Sequence, residues 1–172
     1  MRRFLHPLLI AALMILSAMP RVEAAPSEAP DNALAAVFFR YYGALQKERY
    51  EEALGLLHER LRQALQVRTA KDLAARSIVA QRNLVDAFRR FDNLDVAKTE
   101  VDLTSIKATV TAADTVNVSG QVSYDLVVFQ VGPGRPLMYR VVMDVGLSQG
   151  LIIRLTQESI SRIDPGAFGD ML

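Results

Sequence analysis

The chain predicts an α+β fold: three N-terminal helices packed on a curved, roughly four-stranded antiparallel sheet. Three observations carry this. Apolar residues keep helical spacing from Leu34 to Phe91. The spacing turns to alternation after Asp92-Asn93. The alternation then crosses a Gly/Pro-rich turn, Gly132-Pro-Gly-Arg-Pro136, and resumes in matching phase. Helical and alternating periods mark two kinds of amphipathic surface, and helices that precede an antiparallel sheet must cover one of its faces.

The N-terminus reads as a secretory leader. Met1-Arg2-Arg3 is a positive start, Leu8 to Met19 is an apolar run, and Val22-Glu23-Ala24 places small residues where a signal peptidase cuts. Residues 1–24 are therefore expected to be a signal peptide and residues 25–30 a flexible lead. The apolar run is short of the roughly 20 residues that span a bilayer, so no stable membrane span is expected once the leader is cleaved. An uncleaved anchor is the competing reading. Cleavage removes three of the 20 basic and one of the 19 acidic residues, leaving 17 and 18. A nearly neutral chain has no electrostatic call for nucleic acid. With no cysteine there is neither a disulfide nor a lipidated cysteine. The expected location is the bacterial periplasm or the medium.

Asp31 or Asn32 can cap the first helix, whose apolar stripe is Leu34, Val37, Phe38, Tyr41, Tyr42 and Leu45. Gln46-Lys-Glu-Arg49 marks a break. Tyr50, Leu54, Leu57, Leu61 and Leu65 predict one second helix. Thr69-Ala-Lys-Asp72 is a capping box opening a long third helix, with Ser77 as a candidate break. Val101 and Leu103 share one parity, while Ile106, Ala108 and Val110 share the other, which predicts a bulge at Thr104-Ser105. Val116 to Val128 (even) and Leu137 to Leu147 (odd) form the two arms of a hairpin, with Leu126 expected beside Val141. Gly120 predicts a bend, Ser148-Gln-Gly150 a turn, and Leu151 to Ile163 a last strand led by Leu151, Ile153 and Leu155. The domain is expected over residues 31–164 and a loose tail over 165–172.

Several segments carry a family likeness. These are Phe38-Phe-Arg-Tyr-Tyr42, Lys47-Glu-Arg-Tyr50 leading into Glu52-Ala-Leu-Gly-Leu-Leu57, Val116 to Tyr124, and Val141 to Leu147 followed by Leu151-Ile-Ile153. In this order they resemble the cone-like fold of the nuclear transport factor 2 and ketosteroid isomerase (SnoaL-like) superfamily. The chain departs from many exported members in lacking a tryptophan at the start of the last strand, where Leu151 stands. The resemblance implies a cone interior, and Phe38, Tyr41, Tyr124, Tyr139 and Met143 are the candidates to line it around a small apolar ligand. It leaves function open, because members include isomerases, dehydratases, transport adaptors and secretion subunits.

The chemistry-bearing residues are sparse. His58 is the one histidine after the leader and sits in a charged stretch, so neither a zinc site nor a Ser-His-Asp device is expected. No cofactor is expected. Asp125 and Asp144 point by parity away from the apolar row, which disfavours them as pocket bases. The helix arginines Arg60, Arg62, Arg68, Arg76, Arg82, Arg89 and Arg90 alternate with acids and read as a solvated face. The second hairpin face is unusual in carrying Val127, Phe129, Met138 and Val142 around Arg140, which predicts an interface with a homodimer mate or an envelope protein. The expected function is an exported, non-enzymatic binding module. The alternatives are a small isomerase or hydratase using the cone, and a subunit of a bacterial envelope or secretion assembly.

Overall fold

The computed structural model describes residues 32–163. The expected leader, lead and tail lie outside them. The order is α1 (Ala33–Gln46), α2 (Tyr50–Gly55), α3 (Glu59–Leu65), α4 (Ala70–Asp92), β1 (Val96–Ala113), β2 (Asn117–Gln130), β3 (Leu137–Ser148) and β4 (Leu151–Ile163). The strands form one antiparallel sheet in the order β1-β2-β3-β4. The helices precede the sheet, as the change of period predicts. Among the described residues no helix is long and apolar enough to cross a membrane.

Among the described residues there are four helices where three are expected. The predicted second helix breaks at Leu56-Leu57-His58. Gly55, a poor helix former, ends α2, and His58 caps α3 by accepting from the Arg60 amide through Nδ1. Between them the backbone joins the sheet. The His58 amide donates to Ile152 O at 2.9 Å, and the Ile152 amide donates to Leu56 O at 2.9 Å. These two bonds satisfy groups at the start of the β4 edge and leave Leu57 fully buried. Ser77 does not interrupt α4. It is a small buried residue that lets the 23-residue helix lie close to the core. Thr69 and Asp72 form the expected capping box. At the other end Phe88 is buried, but Phe91 is 67% exposed and contributes nothing to the core.

α1 is held to β1 at both ends. Asn32 caps it, accepting from the Leu34 and Ala35 amides, and its amide donates to Ala108 O at 3.1 Å. The Gln46 amide donates to Val101 O at 2.7 Å. Between these clamps, Leu34, Phe38, Tyr42 and Leu45 meet the even row of β2: Val122, Tyr124, Leu126 and Val128. Burying such side chains is worth about 2 kcal/mol each, which is what holds helix to sheet.

The hairpin keeps its predicted parity but slips by two residues. Leu126 pairs with Tyr139, and Tyr124 pairs with Val141. The turn is centred between Gly132 and Pro133, and Gly132 takes a positive φ of 97°. A two-residue slip leaves every side chain on its predicted face. The bulge in β1 falls between Asp102 and Lys107, as predicted. β4 also bulges: the pairing steps from Gly146–Arg154 to Leu147–Ile152. That puts Ile152, rather than Leu151 or Ile153, fully in the core. Gly120 serves a close approach. A Cβ there would sit 2.1 Å from Thr109 O.

Candidate functional site

The two faces of the sheet diverge at β2. The even row joins the helices in the core, whereas Val127, Phe129, Met138 and Val142 belong to no part of it. Each of these four is half-buried. The expected interface residues therefore share one face, and that face is ordered by charge pairs. Arg140 grips Asp125 through both carboxylate oxygens: Nε donates to Oδ1, and Nη2 donates to Oδ2 at 3.2 Å. The Asp125 carboxylate holds the Arg140 guanidinium in its charged form and raises its pKa. A planar fork on a carboxylate is the strongest ion-pair geometry a side chain can make.

The β1 bulge prepares this pair. It turns Ser105 so that its hydroxyl donates to Asp102 O and accepts from the Asp125 amide, both at 2.7 Å. The bulge thus replaces a ladder bond with a side-chain bridge beside Asp125. Asp125 itself is only 6% exposed although it lies on the face away from the helices. Toward the hairpin tip, Lys98 stands 4.4 Å from the Phe129 ring centroid and pairs with Glu100 at 2.7 Å. At the other end Arg154 bridges Asp144 at 2.8 Å, and Gln121 donates to Glu158 at 2.6 Å. The face is apolar in patches and balanced in charge.

The expected cone-lining residues Phe38, Tyr41, Tyr124, Tyr139 and Met143 are all buried. All five belong to one hydrophobic core, within which the ring contacts fall into two sets. Phe38, Tyr42 and Tyr124 make an aromatic cluster with centroids 4.6–5.6 Å apart. Tyr41 meets Tyr42 edge-on at 5.4 Å. Tyr139 instead packs on Phe88, centroids 4.7 Å apart, and its hydroxyl donates to Asp92 at 2.9 Å. Burial pushes every one of these tyrosine hydroxyls upward, and for Tyr139 burial and the bond to Asp92 take it to about 12. A phenol so shifted is a hydrogen-bond donor and not a base. No Asp or Glu sits in the core under the helices among the described residues. Among the same residues no group of three or more His, Asp or Glu side chains is placed to hold a metal ion.

The arginines read as one solvated face are divided by the structure. Arg89 pairs with Asp95 at the surface, whereas Arg62 and Arg68 border a cleft of about 1110 Å³ between α3 and the β3–β4 turn. This cleft escapes sequence reasoning because it forms only where the segment at Leu57 docks on Ile152. Its one local signal is Gln149-Gly150, a tight turn that opens on glutamine.

No family model matches the chain, and neither a curated protein nor a solved structure matches it.

Proposed function

We propose that this chain is an exported, non-catalytic interaction module of the cone-like nuclear transport factor 2 type, working in the periplasm or the medium. It pairs with a second copy of itself through the open face of the sheet. The observation that carries this is the open face itself, with Val127, Phe129, Met138 and Val142 half-buried around the Asp125–Arg140 pair. Freely solvated strand faces are polar; this one mixes apolar side chains with charges of both signs. A mixture of charges of both signs suits a self-complementary two-fold contact better than a highly charged partner. The area is also adequate. Four strands at about 4.8 Å spacing and twelve paired residues at about 3.3 Å give a face of roughly 750 Å². Standard interfaces bury about 800 Å² per partner.

Sedimentation velocity tests the reading. The protein is expected to be a dimer, and Phe129→Glu with Met138→Glu a monomer that keeps the parent's far-ultraviolet circular dichroism spectrum and melts somewhat lower. A monomeric parent protein overturns the self-pairing and turns the search to an envelope partner captured on the same face.

A second reading has its own support. The hydroxyls of Tyr41, Ser77 and Thr99 are buried without a hydrogen-bond partner among the described residues. Unpaired buried hydroxyls cost roughly 1–3 kcal/mol each, and a small ligand that reached one of them would offset that cost. Native mass spectrometry of protein isolated from its own envelope decides it: a co-purifying small mass, lost on Tyr41→Phe, supports an interior ligand, and a bare protein removes it.

A further inference from the structure

The cleft between α3 and the β3–β4 turn has the chemistry of a binding site, and it is independent of the open face. Its floor is apolar and fixed, with Leu57 and Val67 buried. Backbone bonds at 2.9 Å from His58 to Ile152 and from Ile152 to Leu56 tie the floor to the sheet. Its rim is polar: Arg62, Gln63, Gln66, Arg68 and Gln149, with Glu59 the single acid. Glu59 is engaged by the Gln63 amide at 3.1 Å. Arg62 is pre-aligned, because its Nε donates to Leu57 O at 2.8 Å and so fixes the plane of the guanidinium. The nearby Asp72 carboxylate is occupied by the Arg68 and Thr69 amides in the α4 cap.

The backbone supplies a second argument. Among the described residues four non-glycine residues have positive φ, and two of them, Gln66 (56°) and Gln149 (52°), lie on this rim. Gln66 closes α3 in the left-handed conformation, a position that favours glycine or asparagine. Gln149 precedes Gly150, also at positive φ, in a two-residue hairpin turn where asparagine or glycine is the relaxed choice. Both sites hold the longer amide at a conformational cost. Strain of this kind collects where a side chain is needed for something other than the fold.

We propose that this cleft binds a small hydroxylated anion, a carboxylate or a phosphate of sugar or hydroxy-acid size. Arg62 and Arg68 take the oxyanion, and the amides of Gln66 and Gln149 take hydroxyls. Arginine forks match both oxyanions, and side-chain amides both donate and accept.

The test is a titration of the full chain, followed by backbone amide NMR shifts at constant ionic strength. The probes are gluconate, glycerol 3-phosphate and neutral glycerol. Saturable shifts confined to residues 57–68 and 148–151, with at least one of the two anions and not with glycerol, are expected. The two anions decide between carboxylate and phosphate. Arg68→Gln should weaken binding about tenfold, the loss of one charge-assisted hydrogen bond. Gln149→Asn, which relaxes the turn but shortens the amide, should raise the melting temperature and weaken binding about threefold. It also separates a binding role from a structural one, since a residue kept only for folding would be improved with affinity unchanged. The proposal is overturned if neither anion shifts these residues, if Arg89, Arg90 and Arg154 respond equally, or if both variants bind as the parent does.

Discussion

Tyr124, Leu126 and Val128 are fully buried beneath the helices, while Asp125 and Val127, alternating with them along the same strand, turn to a face built on the Arg140 fork and half-exposed apolar groups. The covered face is held by aromatic and aliphatic packing that has no use for charge. The open face is held by ion pairs and by stacking, whose strength depends on how much water they exclude. The difference teaches that one strand can serve two purposes, because its side chains alternate and only one parity is claimed by the core.

Alkali should separate the two faces most completely. Tyr41, Tyr42, Tyr124 and Tyr139 all lie on the covered side, and each is raised from an ordinary value of about 10. A folded pKa above the unfolded one favours the neutral phenol. The contribution is therefore intact below about pH 10 and is lost as pH rises from there, through about 12 for Tyr139 and higher for the other three. Absorbance at 295 nm and far-ultraviolet circular dichroism should change together above about pH 10. Gradual ionisation of all tyrosines in a still-folded protein would show that the covered face is open to water.

Truncation should sharpen the contrast. Tyr124→Ala is expected to cost about 4 kcal/mol in chemical denaturation, as for a large buried aromatic. Phe129→Ala, on the same strand but the other face, is expected to cost less than about 1 kcal/mol, made up of partial burial and the Lys98 contact. Equal losses would mean that the open face is buried in the free protein. Gly120→Ala forces a Cβ into Thr109 O, a backbone atom that cannot swing aside. A loss of about 3 kcal/mol is expected, together with a weakened β1–β2 register in hydrogen exchange.

An effect smaller than that of either core substitution concerns the ion pair. Arg140→Met leaves the Asp125 carboxylate, 9% exposed, without its partner. Fully buried pairs lose roughly 3–5 kcal/mol this way. The Arg140 side chain is 39% exposed, so solvent screening lowers the expectation to about 2 kcal/mol. Adding Asp125→Leu should recover most of it, since two apolar groups leave no charge uncompensated. If the double variant is no better than the single, the loss does not come from an uncompensated Asp125 carboxylate.

Much of this architecture is carried by local pattern. Alternation decides which side of a strand an apolar residue faces, so the hairpin parity, the bulge at Thr104-Ser105 and the row Val122 to Val128 could be read directly. The capping box at Thr69 and the turn at Gln149-Gly150 are equally local, because each depends on bonds or dihedrals within a few residues. The open-face residues Val127, Phe129, Met138, Arg140 and Val142 follow from the same parity. Tertiary structure decided the rest. The hairpin register moved by two because parity is blind to even slips. The predicted second helix divided because the amide and carbonyl of Ile152, more than ninety residues away, bind Leu56 and His58. Phe91 left the core because helical phase tells which side a residue faces, but not where the sheet beneath it ends. The α3 cleft could not be read beyond the turn at Gln149-Gly150, since its walls come from two segments brought together by that one backbone pairing, and no periodicity records a contact between distant residues.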